Sequence, residues 1–226
     1  MAEPSVDELT GRKPWIVGVS GASGTPYAAA VLRALLDAGR SVDLVVSRAA
    51  RLTILDETGL PFRDGHWRED LSKWAGIDAE VADVMHWPAG DFAAGPSSGS
   101  YPAHGMIVVP ASTAACAGIA IGLSKDLLQR AAEVSLKERR PLLILVREMP
   151  FGHIQLKNML AVSEAGGIVA CASPGFYHRP QTISDQVDFV VGRVLDQFGF
   201  DHSLFKRWKE EARPLPCPGK QAYGSA

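Results

Sequence analysis

The sequence predicts an α/β protein in which a parallel β-sheet lies between two layers of helices. Short apolar runs rich in β-branched residues alternate with helical segments, and the connections between them are short. The 226 residues are 46% hydrophobic, which suffices for one well-buried core. The net charge of −2, with 21% charged residues, excludes a strongly basic nucleic-acid surface and the composition of a disordered chain.

The apolar runs and helical patterns define the elements in chain order. The predicted strands cover 15–19, 42–46, 106–109, 142–146 and 167–170, and the predicted helices cover 27–38, 48–57, 124–139, 154–165 and 184–198. Thr25 is expected to cap the first helix, Pro26 suits its first position, and Gly39 favours its end. Ser47 is expected to cap the second helix.

Two internal segments interrupt this alternation. Residues 60–86 hold charges and tryptophans without a clear period, so no element is predicted there. Residues 88–104 are rich in Gly, Pro, Ser and Ala, and a loop of this length is typically a functional lid or disordered. We therefore expect a flexible N-terminal arm over 1–13, a single α/β domain over 14–212 and a flexible C-terminal tail over 213–226.

Targeting and redox features indicate a cytoplasmic protein. No apolar run approaches the roughly 18–20 residues that cross a bilayer, and residues 1–13 lack the apolar segment of a secretory signal. Cys116, Cys171 and Cys217 are far apart and odd in number, which disfavours a disulfide framework or a cysteine zinc site. Since no His-Glu-x-x-His pattern occurs either, we expect no catalytic metal.

The turn Ser20-Gly21-Ala22-Ser23-Gly24, after the first strand, is the first candidate for ligand binding. Its backbone N–H groups, its hydroxyls and the dipole of the following helix all favour an anion. The spacing fits neither the P-loop nor Gly-x-Gly-x-x-Gly, because no Lys follows Gly24 and the glycines recur every third residue from Gly18. An ordinary tight strand–helix turn is an equally good interpretation.

Small hydroxyl residues follow two further strands. Ser112 and Thr113 come shortly after the strand at 106–109, and Ser47 follows the strand at 42–46. In open α/β sheets, ligands bind at the edge formed by the carboxyl ends of the strands. Each residue taken singly is more simply a helix N-cap, but their repetition favours a site for a phosphate and a flat polar ring.

Four cationic residues and one tyrosine complete the candidate set. Arg147 directly follows a predicted strand, which places it at the same edge, and Tyr177 lies in the loop after the last strand. Arg130 and Lys137 are seven residues apart and share one face of a helix, while Arg193 lies on the last predicted helix. Guanidinium groups hold phosphate oxygens through two N–H groups and an ammonium acts as a point charge, so a phosphorylated ligand is favoured.

Four motifs, in this order and spacing, resemble those of the UbiX-type flavin prenyltransferases, and the resemblance extends from about residue 15 to 208. The motifs are Ser20-Gly21-Ala22-Ser23-Gly24, Leu136-Lys137-Glu138-Arg139-Arg140-Pro141-Leu142, Arg147-Glu148-Met149-Pro150 and Pro174-Gly175-Phe176-Tyr177-His178-Arg179-Pro180-Gln181. The resemblance implies a flavodoxin-like or Rossmann-like fold that binds FMN. It implies metal-independent transfer of a dimethylallyl group from dimethylallyl monophosphate to N5 and C6 of reduced FMN. The product, prenylated FMN, would serve a UbiD-type decarboxylase, and the family assembles as a dodecamer.

The resemblance also assigns roles by position. The residues that match FMN contacts are Gly21, Ala22, Ser23, Ser47, Ser112, Thr113, Ala114, Ala115 and Arg147. The residues that match contacts to the prenyl phosphate are Arg130, Lys137, Tyr177 and Arg193. Ser23, Glu57 and Glu148 match positions of proton transfer, and with Lys137 they form the expected catalytic set. Glu57 and Ser23 are expected to relay protons at flavin N5.

A metal-free reaction requires cations to neutralise the leaving phosphate. Lys137, Arg147 and Arg193 are expected to converge above the flavin, together with the Tyr177 hydroxyl. Glu148 is expected to lie in a dry site that raises its pKa, and to act as the acid for phosphate or the base for the ring proton.

Two other functions stay open at this point. Flavin-dependent cysteine decarboxylases have a similar fold but rely on a His base and an Asn/Met-rich substrate motif. The nearest fragment to that motif here is Asn158-Met159-Leu160. A non-catalytic FMN carrier would need the flavin loops, but not Lys137, Tyr177 and Arg193 together.

Overall fold

The computed structural model describes residues 11–208, which form a six-stranded parallel sheet. The strands are β1 (Trp15–Val19), β2 (Val42–Val46), β3 (Val84–His86), β4 (Gly105–Ala111), β5 (Leu142–Val146) and β6 (Ile168–Cys171). Their order across the sheet is β3-β2-β1-β4-β5-β6, with every neighbouring pair parallel. This is the strand order of doubly wound dinucleotide-binding folds, and it confirms the predicted fold class.

Seven α-helices cover the two faces of the sheet in the described part of the chain. They are α1 (Thr25–Asp37), α2 (Arg48–Thr58), α3 (Trp67–Ala75), α4 (Thr113–Ala120), α5 (Leu127–Lys137), α6 (His153–Glu164) and α7 (Ile183–Asp196). Successive residues of β1 point to opposite faces, so Val17 and Val19 pack in a core with α1, α2, α3 and α7. Ile16 packs in a second core with α4, α5 and α6. The chain is therefore three-layered, with one apolar core on each side of the sheet.

Most predicted elements are confirmed, but the helix starts show two differences. Thr25 is the first residue of α1 and not its cap; Gly24 takes the cap position with φ of 111°, a left-handed conformation that favours glycine. The helix predicted from residue 124 begins at Leu127, because the Asp126 carboxylate accepts the Gln129 N–H at 3.0 Å and caps it there. Ser47 caps α2 as predicted, accepting the Ala50 N–H at 3.1 Å.

Three elements have no counterpart in the sequence prediction. Helix α3 and the short strand β3 lie within residues 60–86, and α4 follows β4 directly. Helix α4 is built almost wholly of small apolar residues and is largely buried, so it lacks the polar stripe that identifies a surface helix.

The loop 88–104 is held in place by specific hydrogen bonds, contrary to the expectation of a lid or a disordered segment. It contains a 3₁₀ turn, Gly95–Ser97, and packs along α5. Arg130 donates to the Ser97 carbonyl at 3.1 Å, and Tyr101 donates to the Asp43 carboxylate at 2.7 Å.

Terminal segments and membrane features complete the description. The predicted tail over 213–226, and all but three residues of the predicted arm over 1–13, lie outside the described residues. Within 11–208, no helix has both the length and the apolar character needed to cross a membrane.

The strand order creates a crevice beside β1. Strand β1 lies in the middle of the sheet, with β2 and β3 on one side of it and β4, β5 and β6 on the other. The loops after β1 and β4 therefore run onto opposite faces of the sheet, and the gap between them at the carboxyl edge is where open α/β folds bind ligands.

Candidate active site

The loop after β1 passes very close to the start of α2. A Cβ at Gly21 would overlap the Cβ of Ala49, so only glycine allows this approach. Ala22 is buried and Ser23 is exposed at the tip of the loop. The close approach brings the first predicted flavin loop beside Ser47, the cap of α2.

Ser20 joins the loops after β1 and β4. Its side chain is buried, and its hydroxyl donates to the Pro110 carbonyl at 2.8 Å while accepting the Ser112 N–H at 2.7 Å. The two loops that border the crevice are thereby held in a single arrangement.

The Glu57 carboxylate occupies the N-terminus of α1. It accepts the Gly24 N–H at 2.8 Å, the Thr25 N–H at 2.9 Å and the Thr25 hydroxyl at 2.6 Å. Partial burial acts to raise the pKa of Glu57, but hydrogen bonds from Thr25, Ser23 and the Gly24 and Thr25 backbone outweigh it and hold that pKa below its ordinary value. The anion predicted at this turn is therefore a carboxylate of the chain itself, and the structure brings Ser23 and Glu57 into contact.

Ser47 and Ser112 are helix caps and also border the crevice. Ser112 caps α4 by accepting the Ala115 N–H at 3.1 Å, as Ser47 caps α2. A capping hydroxyl uses its oxygen as acceptor and keeps its own proton for a ligand, so the two interpretations of these serines are compatible. Thr113 and Ala114 form the start of α4 at the same place.

Arg147 lies over the first loop, as predicted for the carboxyl end of β5. Its backbone N–H donates to the Ala111 carbonyl, and its Nε donates to the Ser23 carbonyl at 3.2 Å. Within residues 11–208 no other hydrogen bond occupies its guanidinium, which leaves its terminal N–H groups able to hold an anion. Glu148, in contrast, is exposed, so the dry site expected around it is not present in the single chain.

Tyr177 lies in the loop between β6 and α7, within an aromatic group. Its ring centroid is 5.5 Å from that of Phe189 and 5.1 Å from that of Trp208. Arg193 is in the last turn of α7, about half exposed, and pairs with Asp196 at 2.6 Å. An apolar aromatic surface is thus available beside Tyr177.

Neither Lys137 and Arg130 on α5 nor Arg193 on α7 converges with Arg147 in one chain, which corrects the sequence expectation. Arg193 is in the last turn of α7, which begins after the carboxyl end of β6 and runs back toward the amino edge of the sheet. Lys137 ends α5 at the amino edge of the sheet and pairs with Glu138 at 2.6 Å, while Arg147 follows β5 at the carboxyl edge. The five residues of β5 separate these positions by about 17 Å. Helix α5 runs antiparallel to the strands, and this direction carries Lys137 away from the crevice.

The sequence reasoning missed one residue of the crevice and the role of another. Tyr27 lies beside Gly24, where burial raises the pKa of its hydroxyl and nearby Arg147 opposes that change; its position early in α1 is its only sequence signal. Ser20 was among the hydroxyls of the predicted turn, but nothing in the sequence indicated that it joins the two loops. Within 11–208, no group of three or more His, Cys, Asp or Glu side chains is placed to hold a metal ion.

Comparison with known proteins gives consistent matches along most of the chain. The family model described as Flavoprotein matches residues 3–195. The flavin prenyltransferase UbiX of Streptomyces coelicolor is 62% identical over 213 residues, covering 89% of this chain and 99% of that protein.

Solved structures with similar sequences share the fold. AnUbiX (PadA1), in complex with FMN and dimethylallyl pyrophosphate, superposes with a TM-score of 0.77 at 38% identity, covering 87% of this chain and 97% of that chain. A dodecameric FMN-dependent UbiX-like decarboxylase from Escherichia coli O157:H7 gives a TM-score of 0.76 at 41% identity, covering 87% of this chain and 99% of that chain.

Proposed function

This chain belongs to the UbiX family of flavin prenyltransferases, and on that premise we propose its reaction. It transfers a dimethylallyl group from dimethylallyl monophosphate to N5 and C6 of reduced FMN, without a metal ion. The product, prenylated FMN, passes to a UbiD-type decarboxylase.

The observation that carries this proposal is the crevice between the loops after β1 and β4. Ser47 and Ser112 offer hydroxyl protons there, the start of α4 offers backbone N–H groups, and Arg147 offers guanidinium N–H groups. Because Glu57 already neutralises the N-terminus of α1, the anionic part of a ligand is directed to α2, α4 and Arg147. This donor set fits the phosphate and polar ring edge of FMN, which supplies the nucleophilic ring that accepts the allyl group.

The remaining residues of the first flavin loop leave room for a flat ring. Gly21 and Ala22 present no side chain beyond a methyl group, and Ala114 and Ala115 are equally small at the start of α4. Small side chains permit close contact between backbone and ligand.

The prenyl phosphate would be held by residues from more than one copy of the chain. Arg130 and Lys137 lie on α5, whereas Tyr177 and Arg193 lie around α7. In this proposal a complete site forms where α5 of one copy meets the crevice of another. The relative from Escherichia coli is dodecameric, which supports an assembly of several copies.

These cations replace a metal ion in our mechanism. The bond between the allylic carbon and the phosphate oxygen breaks, and phosphate departs with the electron pair. The allylic carbon would bond to the reduced flavin, which would release a proton in exchange. Preorganised charges from Lys137, Arg130 and Arg193 stabilise that charge, each such donor contributing about 2.7–4 kcal/mol to the transition state. Glu148, exposed in the single chain, becomes enclosed at the contact between copies, where it donates a proton to the departing phosphate or accepts the proton that the flavin ring releases. Ser23 and Glu57 serve proton transfer at the flavin, supported by their mutual contact.

Anaerobic incubation of the protein with reduced FMN and dimethylallyl monophosphate tests the proposal. We expect the mass of the bound flavin to rise by one dimethylallyl unit, with a change in visible absorbance. Lys137→Ala and Arg193→Ala should abolish this change while FMN still co-purifies. Lys73→Ala is the matched control, because Lys73 is also half exposed and pairs with a neighbouring glutamate at 2.6 Å.

Other outcomes would overturn the proposal. An unchanged flavin mass with the wild-type protein would favour the FMN carrier. Activity that disappears with a chelator and returns with magnesium would exclude the metal-free mechanism.

A further inference from the structure

A buried polar cluster lies at the amino edge of the sheet, apart from the residues assigned above. Asp43, the second residue of β2, is fully buried. Its carboxylate forms an ion pair with Arg12 and accepts a 2.7 Å hydrogen bond from the Tyr101 hydroxyl. Arg12 also donates to the Asp83 carboxylate and to the Val42 carbonyl, each at 2.8 Å. The cluster joins four segments that are distant in the sequence.

Tyr101 closes a segment that we call the serine loop, residues 95–101. Its ring lies against Gly95, where a Cβ would overlap it, so the loop curls around the ring. The hydroxyls of Ser98 and Ser100 lie 2.9 Å apart on the outer side of the loop and share one hydrogen bond, so the proton of the other hydroxyl stays available for a further acceptor.

The serine loop runs along the cationic face of α5. The Ser97 carbonyl accepts Arg130 Nε at 3.1 Å, and the Gly99 carbonyl accepts Arg140 at 2.6 Å. Gly99 also lies against the Lys137–Glu138 ion pair, because a Cβ there would overlap the Glu138 carboxylate and stand 2.8 Å from Lys137 Nζ. The loop therefore holds the Arg130 guanidinium directly and packs against the ion pair that holds Lys137.

The buried charge of Asp43 explains why the loop stays in this position. Arg12 satisfies one carboxylate oxygen and Tyr101 the other. If the loop moved away, the second oxygen would lose this hydrogen-bond donor inside the protein, and an unsatisfied buried charge is strongly unfavourable. Burial already raises the pKa of Asp43 above its ordinary value, against the opposing effect of Arg12 and Tyr101.

We propose that Tyr101 and Asp43 are positioning residues for substrate phosphate: they fix the serine loop, which sets Arg130 and Lys137 to receive dimethylallyl monophosphate. The inference rests on the proposed function, because it takes the phosphate as the ligand of these cations. It adds a second layer of residues, remote from the crevice, on which substrate affinity depends.

The test compares Tyr101→Phe with Ser41→Ala in the FMN-loaded enzyme. Tyr101→Phe keeps the ring against Gly95 and removes only the hydrogen bond to Asp43. Ser41→Ala removes a hydrogen bond to Asp83 at the same edge of the sheet, but Ser41 makes no hydrogen bond to the serine loop within the described chain. We expect Tyr101→Phe to raise KM for dimethylallyl monophosphate about three- to tenfold, with kcat and the Kd for FMN unchanged. Ser41→Ala should change none of the three.

A second variant and a second measurement keep the test decisive. Gly95→Ala displaces the Tyr101 ring without removing a donor, and it should raise KM in the same direction. Amide hydrogen exchange across residues 97–100 should be faster in Tyr101→Phe than in Ser41→Ala.

The outcomes separate the two proposals. An active wild type with unchanged KM in both loop variants overturns the positioning role. A wild type that neither binds nor converts dimethylallyl monophosphate overturns the proposed function instead, and unchanged hydrogen exchange would then overturn the positioning role as well.

Discussion

Ser20→Ala should destabilise the protein and weaken FMN binding, because it removes the side chain that joins the two loops of the crevice. The wild-type hydroxyl donates to the Pro110 carbonyl at 2.8 Å and accepts the Ser112 N–H at 2.7 Å. Alanine can do neither, and the site is buried, so water does not readily replace the hydroxyl.

The expected loss of unfolding free energy depends on which groups lose a hydrogen-bond partner. The Pro110 carbonyl keeps the Ser20 N–H, which donates to it at 3.2 Å. The Ser112 N–H loses the partner that the structure shows, and an unsatisfied buried donor costs about 1–3 kcal/mol. We therefore expect the free energy of unfolding to fall by about 2 kcal/mol. Since Ser112 caps α4 beside the crevice, the Kd for FMN should rise as well.

Urea unfolding, followed by circular dichroism at a fixed protomer concentration, measures the change. Ser135→Ala is the matched control. Ser135 is also buried, but its hydroxyl donates to the Ala131 carbonyl within α5, a bond that adds little to a helix. A loss of less than about 0.5 kcal/mol for Ser20→Ala, or a loss equal to that of Ser135→Ala, would show that Ser20 does not hold the two loops together.

Two further predictions concern the same crevice. Gly21→Ala should raise the Kd for FMN about tenfold or more, because the added Cβ would overlap Ala49. Gly90→Ala is the control, since a Cβ there meets open space and should leave the Kd unchanged. Equal Kd changes for the two variants, measured by calorimetry, would contradict the prediction. The lowered pKa of Glu57 stabilises the folded state above the ordinary value of 4.5, and this contribution is lost as pH falls through the lower native pKa. Glu57→Gln should therefore be less stable than the wild type at pH 7, and it should lose less stability than the wild type as the pH falls. If both proteins lost the same stability between pH 7 and pH 3, the prediction would be wrong.

The sequence was sufficient for five of the six strands and for the residues that follow β1, β2 and β5. Strands β1, β2 and β5 are continuous apolar runs because both faces of the sheet are covered, and such runs are visible without a structure. The turn at Gly21, the cap at Ser47 and Arg147 after β5 follow from chain order alone, since parallel strands place all their carboxyl ends at one edge.

Predictions from the sequence were wrong or missing where the position of a side chain depended on contacts between residues distant in the chain. Helix spacing showed that Arg130 and Lys137 share a face, but not that α5 carries this face away from the crevice. Asp43 stands alone in an apolar strand, yet only the fold brings Arg12 and Tyr101 to it.

The α/β class, the family resemblance and the chemical character of the candidate site can be read from the sequence, because periodicity and short motifs are properties of neighbouring residues. The position of Glu57 at the N-terminus of α1, and the way Ser20 joins the loops bordering the crevice, depend on the fold. So does the division of the cations between opposite edges of the sheet. Hydrogen bonds and charges act over a few ångströms of space, and folding alone sets which residues come within that range.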